Sequence, residues 1–135
     1  DRVAGKAGAA ATFTFTPTSG GALAPGSAIT LNYPTNFFAT SPTPTGAVSG
    51  GASLVSIGAP GISSIVMTTA GATLNASTAV TVTLSGFTLR STPTAGGNVN
   101  MQTSADITTS NSVASGVIGD TVTNISFSML LATVL

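Results

Sequence analysis

The sequence predicts an all-β domain, an immunoglobulin-like β-sandwich of about seven to nine short strands, with a jelly roll as the alternative architecture. Three observations predict it. Short runs alternate apolar and hydroxyl side chains at period two. Gly and Pro clusters interrupt those runs at roughly the 8–12-residue spacing of sandwiches and barrels. Thr, Val, Ser and Gly are weak helix formers, and no helical period survives longer than a turn or two.

The elements follow in chain order. Ala11–Thr16 places Phe13 and Phe15 on one face and threonines on the other. Ser27–Pro34 places Ile29, Leu31 and Tyr33 together. Ser53–Ile57 and Ile62–Thr69 supply Val55, Ile57, Ile65 and Met67 as core candidates. Thr78–Leu84 turns Val80, Val82 and Leu84 inward and is followed by Phe87 and Leu89, while Asn98–Thr103 offers Val99 and Met101. Ser112–Ile118 is a weaker strand, and Ile125–Leu131 alternates Ile125, Phe127, Met129 and Leu131 against Ser126, Ser128 and Leu130. Turns fall at Pro17–Gly21, Pro25-Gly26, Ser41–Gly46, Gly50-Gly51, Pro60-Gly61 and Pro93–Gly97. Residues 1–10 read as an N-terminal arm, 11–123 as the sandwich, and 124–135 as a C-terminal strand.

The stretch Thr18–Leu23 reads again as Thr69–Leu74, and the same shift pairs Ser27 with Thr78, Ile29 with Val80 and Leu31 with Val82. Each copy is a strand, a Gly-rich corner, a lone inward Leu and a strand. Either a half-sandwich is duplicated, or a low-complexity β sequence aligns with itself. Both readings give the two corners similar geometry.

Composition narrows the function. Only 4% of residues are charged, net charge is zero, and Cys, His and Trp are missing. Soluble domains carry about 25% charged residues, so hydroxyl groups must hydrate this surface; Thr and Ser supply roughly three residues in ten. No disulfide or thiolate metal site is possible. A Ser-His-Asp triad lacks its base, and nothing in the sequence brings any two of Asp1, Asp106 and Asp120 together as paired carboxylates. Lys6 and Arg90 are too dispersed for a phosphate backbone, which speaks against nucleic acid, and no apolar run approaches the ~20 residues of a membrane-spanning helix. Asp106 reads as a strand-end cap and Asp120 as a turn residue. No catalytic, metal-binding or cofactor-binding residue is expected, and an enzyme is not.

Glycan acceptors are the best local motifs. Asn75-Ala76-Ser77 and Asn124-Ile125-Ser126 match N-x-S/T, so Asn75 and Asn124 are candidates for N-glycosylation, although a chain this rich in Ser and Thr also produces such triplets by chance. Thr16, Thr18, Ser41, Thr43, Thr45, Thr92 and Thr94 flank prolines, the composition of O-glycosylated segments and equally of Pro-stiffened loops.

The stretch Phe13–Phe38, with its A-P-G-S-A-I-T-L-N-Y-P-T-N-F-F core, resembles Thr/Ser/Gly-rich modules repeated in large extracellular proteins of algae and other microbes. T-V-T-L-S-G-F-T-L (Thr81–Leu89) and M-Q-T-S-A-D (Met101–Asp106) fit the same pattern. The chain is also similar to subunits of glycosylated extracellular filaments built by donor-strand complementation, such as archaeal threads and bundling pili. That resemblance implies a location outside the cell or on its surface, covalent glycans, and other copies of the chain as partners in a homopolymer. In that setting Ile125, Phe127, Met129 and Leu131 are subunit-interface candidates: I-S-F-S at 125–128 echoes F-T-F-T at 13–16, and a strand with so apolar a face has to be buried, either in its own sandwich or in a neighbour's. An adhesive or carbohydrate-binding module and a capsid or shell protein are the competing readings. The former wants exposed aromatics, and only Phe37 or Phe38 is left over from the core phases.

Overall fold

The computed structural model describes residues 2–120. They form eight β-strands and no helix: β1 (Ala9–Phe15), β2 (Ala28–Asn32), β3 (Thr45–Val48), β4 (Ala52–Ile57), β5 (Ser64–Gly71), β6 (Val80–Phe87), β7 (Asn98–Thr103) and β8 (Val113–Ala114). The strands make an all-β sandwich of two antiparallel sheets, three strands in the order β1-β6-β3 facing five in the order β4-β5-β2-β7-β8. The candidate strand at 125–131, with Ile125, Phe127, Met129, Leu131 and Asn124, lies outside the described residues.

Alternation produces the core. Ile29, Leu31, Ile65, Met67, Val80, Val82 and Leu84 are buried, with Met101 closing one side, all at the phase read from the sequence. Phe13, Phe15 and Val99 are half-buried against that core. The opposite faces carry hydroxyls. Thr12 meets Thr83 at 3.3 Å and Thr14 meets Thr81 at 2.9 Å across the β1–β6 ladder, so threonines that hydrate the surface also bond to each other.

The two similar corners meet in the structure. Leu23 and Leu74, the equivalent lone leucines, are both buried and pair antiparallel, Leu23 N donating to Leu74 O at 2.9 Å and Leu74 N to Leu23 O at 3.0 Å. β1 leads through its corner from the small sheet to β2 in the large one, and β5 leads through its corner the opposite way to β6. β1 then pairs with β6 and β2 with β5, so the two copies embrace around the leucine bridge.

Three details depart from the sequence reading, and a fourth, the bulge in β6, lies between two residues it placed correctly. Val55, a core candidate, is 68% exposed, because the β4–β5 register shifts between Leu54 and Ser56 and leaves Val55 as the bulged residue; Leu54 packs on the core instead. Leu84 and Phe87 are both fully buried although an odd number of positions separates them. A second register shift, in β6 opposite Ala9 and Ala10, resets the phase, and Gly86 takes a φ of 94° there, which few residues other than glycine accept. Thr45–Val48, partly assigned to a turn, is the edge strand β3. Phe37 and Phe38 are not spare: both are buried, Phe38 stacking on Phe87 at 4.1 Å and meeting Tyr33 and Phe37 edge-on at 5.0 Å.

A latch joins the first corner to the end of β7. Asp106 accepts from Thr18 N at 2.9 Å and from Thr18 Oγ1 at 2.5 Å, and any side chain at Gly21 would collide with the carboxylate. These Thr18 bonds hold the Asp106 carboxyl below its ordinary 3.8. A depressed carboxyl pKa gives stability that is complete above the ordinary value and lost as pH falls through the lower folded one. Asp106→Asn is therefore expected to lower the urea midpoint at neutral pH and to flatten its decline on acidification. Identical acid profiles for the two proteins would refute this role.

Candidate functional site

Three strands cannot cover five. β3 lies beside β4, so the uncovered part of the large sheet is at the other end, along β7 and β8. β1 borders that opening, and among the described strands its only sheet partner is β6. Between the β1 edge and β8 runs an apolar cleft of about 560 Å³.

The cleft reaches down to the core. Phe13, Leu31, Tyr33, Phe38, Leu89 and Val99 line it. Residues Gly8–Phe13 form one rim and Val113–Ser115 the other, with Arg2 and Lys6 at one end. Each feature follows from local sequence. The Ala9-Ala10-Ala11 run keeps the β1 rim narrow, because small side chains there fill little space. β8 is only two residues long, so the far rim is short, and its Val113 is 66% exposed.

The polar groups near the cleft floor are already engaged. Tyr33 Oη donates to the carbonyls of Ser64 at 2.8 Å and Gly61 at 3.1 Å, and burial pushes its phenol up to about 12. A neutral, committed hydroxyl is a structural tie. Among the described residues no group of three His, Cys, Asp or Glu side chains comes together. The cleft thus offers an apolar floor and a strand edge, which suit an extended apolar segment: edge N–H and C=O groups bond its backbone while its alternate side chains fill the floor.

The glycan candidates among the described residues lie on the surface away from this floor, and Asn124 is outside them. Asn75 is exposed beside the Leu74 bridge, ahead of the Ala76-Ser77 turn, and Ser77 takes a φ of 55°. Thr16, Ser41, Thr43 and Thr45 are exposed. Three other hydroxyls already bond within the protein: Thr18 to Asp106, Thr92 accepting from Arg90 at 2.8 and 3.0 Å, and half-buried Thr94 accepting from Gly96 N at 3.4 Å.

Sequence reasoning did not anticipate the cleft, and its candidate strand at 125–131 lies outside the described residues. The cleft arises from unequal strand counts in the two sheets among the described residues, a long-range property that local alternation does not encode. Among the described residues no helix is long and apolar enough to cross a membrane. The fold and cleft define the class: a charge-poor all-β sandwich whose described strands leave one edge of the smaller sheet beside an apolar cleft. Compared with known proteins, the chain matches no family model, no curated protein and no solved structure.

Proposed function

We propose that this protein is a structural subunit of an extracellular filament or cell-surface matrix, that its partners are other copies of itself, and that it assembles by donating residues 124–135 into a neighbour's cleft. The observation that carries this reading is the apolar cleft beside the β1 edge. Ile125, Phe127, Met129 and Leu131 supply the alternate apolar side chains such a cleft takes. Donation from one copy to the next is a heterologous contact, which propagates into a filament unless it closes into a ring. No catalytic role is assigned to any residue.

The carbohydrate-binding alternative loses support from the aromatics. Phe37, Phe38, Phe87 and Tyr33 are buried and Phe13 and Phe15 are packed against the core, so among the described residues no aromatic stands out on the surface away from the cleft for a sugar to stack on. Electron microscopy of native material tests the main reading: long polymers are expected, and isolated globules would overturn it.

Covalent sugar is the second part of the proposal. Charged side chains are scarce, and exposed Asn75 together with the free-standing Pro-flanked hydroxyls offers attachment points for a hydrating layer. Intact mass spectrometry of native chain is expected to exceed the bare 13.0 kDa polypeptide, and a mass equal to it would rule out glycosylation in that source.

A further inference from the structure

We propose that Asn75 carries an N-linked glycan and that Ser77 is the residue on which its attachment depends, a hydroxyl kept at a backbone position that favours glycine. This rests on the reading that the native chain carries covalent sugar, and it names one attachment site and the residue that specifies it.

The two corners supply the comparison. The shift that pairs Leu23 with Leu74 also pairs Ala24-Pro25-Gly26 with Asn75-Ala76-Ser77. The backbone follows the sequence. Each corner has a buried leucine, then a turn, then a strand whose alternate residues are buried: Ile29 and Leu31 in one, Val80 and Val82 in the other. Gly26 and Ser77 close the two turns, and both have positive φ, 90° and 55°. Their N–H groups cross over in the same way. Gly26 N donates to Thr69 O at 2.7 Å, on the approach to the second corner, and Ser77 N donates to Pro17 O at 3.0 Å, on the approach to the first. The two residues hold the same left-handed turn in the same bonding role.

That conformation suits one of them and strains the other. Glycine enters the left-handed region freely, whereas a Cβ there crowds the following carbonyl. A Cβ added at Gly26 would meet no atom within 4 Å, so the backbone angle alone makes glycine the better residue. Asn36 is the other non-glycine residue with positive φ among the described residues, and asparagine is one of the types that accepts it. Serine accepts it less readily. Nor does its side chain offset the strain, for Ser77 is exposed and among the described residues its hydroxyl makes no hydrogen bond. A strained residue that adds no contact to the fold points to a use beyond it.

The chemistry that Ser77 has and Gly26 lacks is the hydroxyl, and this hydroxyl completes the acceptor triplet Asn75-Ala76-Ser77. Chance scatters such triplets through a chain rich in Ser and Thr, but it does not favour the position where the backbone calls for glycine. Asn75 is exposed at the same turn, within reach of a transferase. The transfer forms a C–N bond from Asn75 Nδ2 to the anomeric carbon of an oligosaccharide carried on a lipid-linked diphosphate. The anomeric C–O bond breaks, the diphosphate leaves with its electron pair, and the amide proton passes to a base of the transferase.

Three measurements test this. In native material the peptide bearing Asn75 is expected to weigh more than its bare sequence. A bare peptide overturns the proposal, and the intact mass of the same sample then shows whether sugar elsewhere keeps the broader reading. In unglycosylated chain made in a bacterium, Ser77→Gly is expected to raise the melting temperature by a few degrees and Ser77→Thr, β-branched at positive φ, to lower it. An unchanged or lower value for Ser77→Gly overturns the strain. In a eukaryotic secretion host the order reverses: the natural chain and Ser77→Thr are expected to carry sugar at Asn75, and Ser77→Gly to carry none there. Sugar that survives Ser77→Gly, or a natural chain left bare at Asn75, overturns the role assigned to Ser77.

Discussion

A chain ending at residue 123 is expected to remain monomeric under conditions in which the full chain polymerises. Four large apolar side chains leave water when residues 125–131 enter a cleft, at roughly 1.5–3 kcal/mol each. Even the low end of that range, at about 1.4 kcal/mol per tenfold in an equilibrium constant, corresponds to a shift of about four orders of magnitude in the concentration needed for assembly. Light scattering and electron microscopy read the outcome. Adding a synthetic 124–135 peptide is expected to raise the melting temperature of the truncated chain, because a ligand that binds only the folded state stabilises it. Normal polymers from the truncated chain would place the donor elsewhere. The single substitution Phe127→Asp is a gentler version, since a carboxylate on the apolar floor is costly while every other contact remains.

Phe87→Ala is expected to cost about 3–5 kcal/mol, close to the full stability of a marginal domain. Phe87 is fully buried and stacks on Phe38, which in turn meets Tyr33 and Phe37, so its removal opens a hole beneath the three remaining linked rings. The surrounding strands are tied by ladder hydrogen bonds and cannot collapse into it. Val55→Ala serves as the contrast: the bulge turns Val55 outward, and a change of no more than about 0.5 kcal/mol is expected there. Urea unfolding midpoints compare the two variants. A cost below about 1 kcal/mol for Phe87→Ala would mean that the rings do not form one packed unit.

Much of this sandwich was legible because period-two alternation is a local signal. Ile29, Leu31, Ile65, Met67, Val80, Val82, Leu84 and Met101 all face inward as their phase requires. What misled was phase across a bulge at Val55: the extra residue there makes Leu54 rather than Val55 the inward partner of Ile57, and Leu54-Val55-Ser56 does not announce a bulge without its partner strand. Phe37 and Phe38 were misjudged for another reason. They lie outside any strand, so alternation is silent about them, and only the distant Phe87 and Tyr33 explain their burial. The Thr18–Asp106 latch likewise joins positions far apart in the chain, and nothing near either one points to the other. The Leu23–Leu74 bridge was half visible, since the repeated corner made the two leucines equivalent without showing that they pair.

Amide hydrogen exchange along β1 of the assembled full chain tests the central claim most directly, with β3 as the internal standard. Among the described strands, β1 and β3 are the two outer strands of one sheet, each laddered to β6 on one side. An outer strand bonds only alternate N–H groups, and the others exchange quickly. If the cleft beside β1 receives a strand, successive β1 amides from Ala9 to Phe15 are all slow while those of β3 alternate between slow and fast. Alternation in β1 matching that of β3 would show that no strand lies against it and would contradict assembly through this edge.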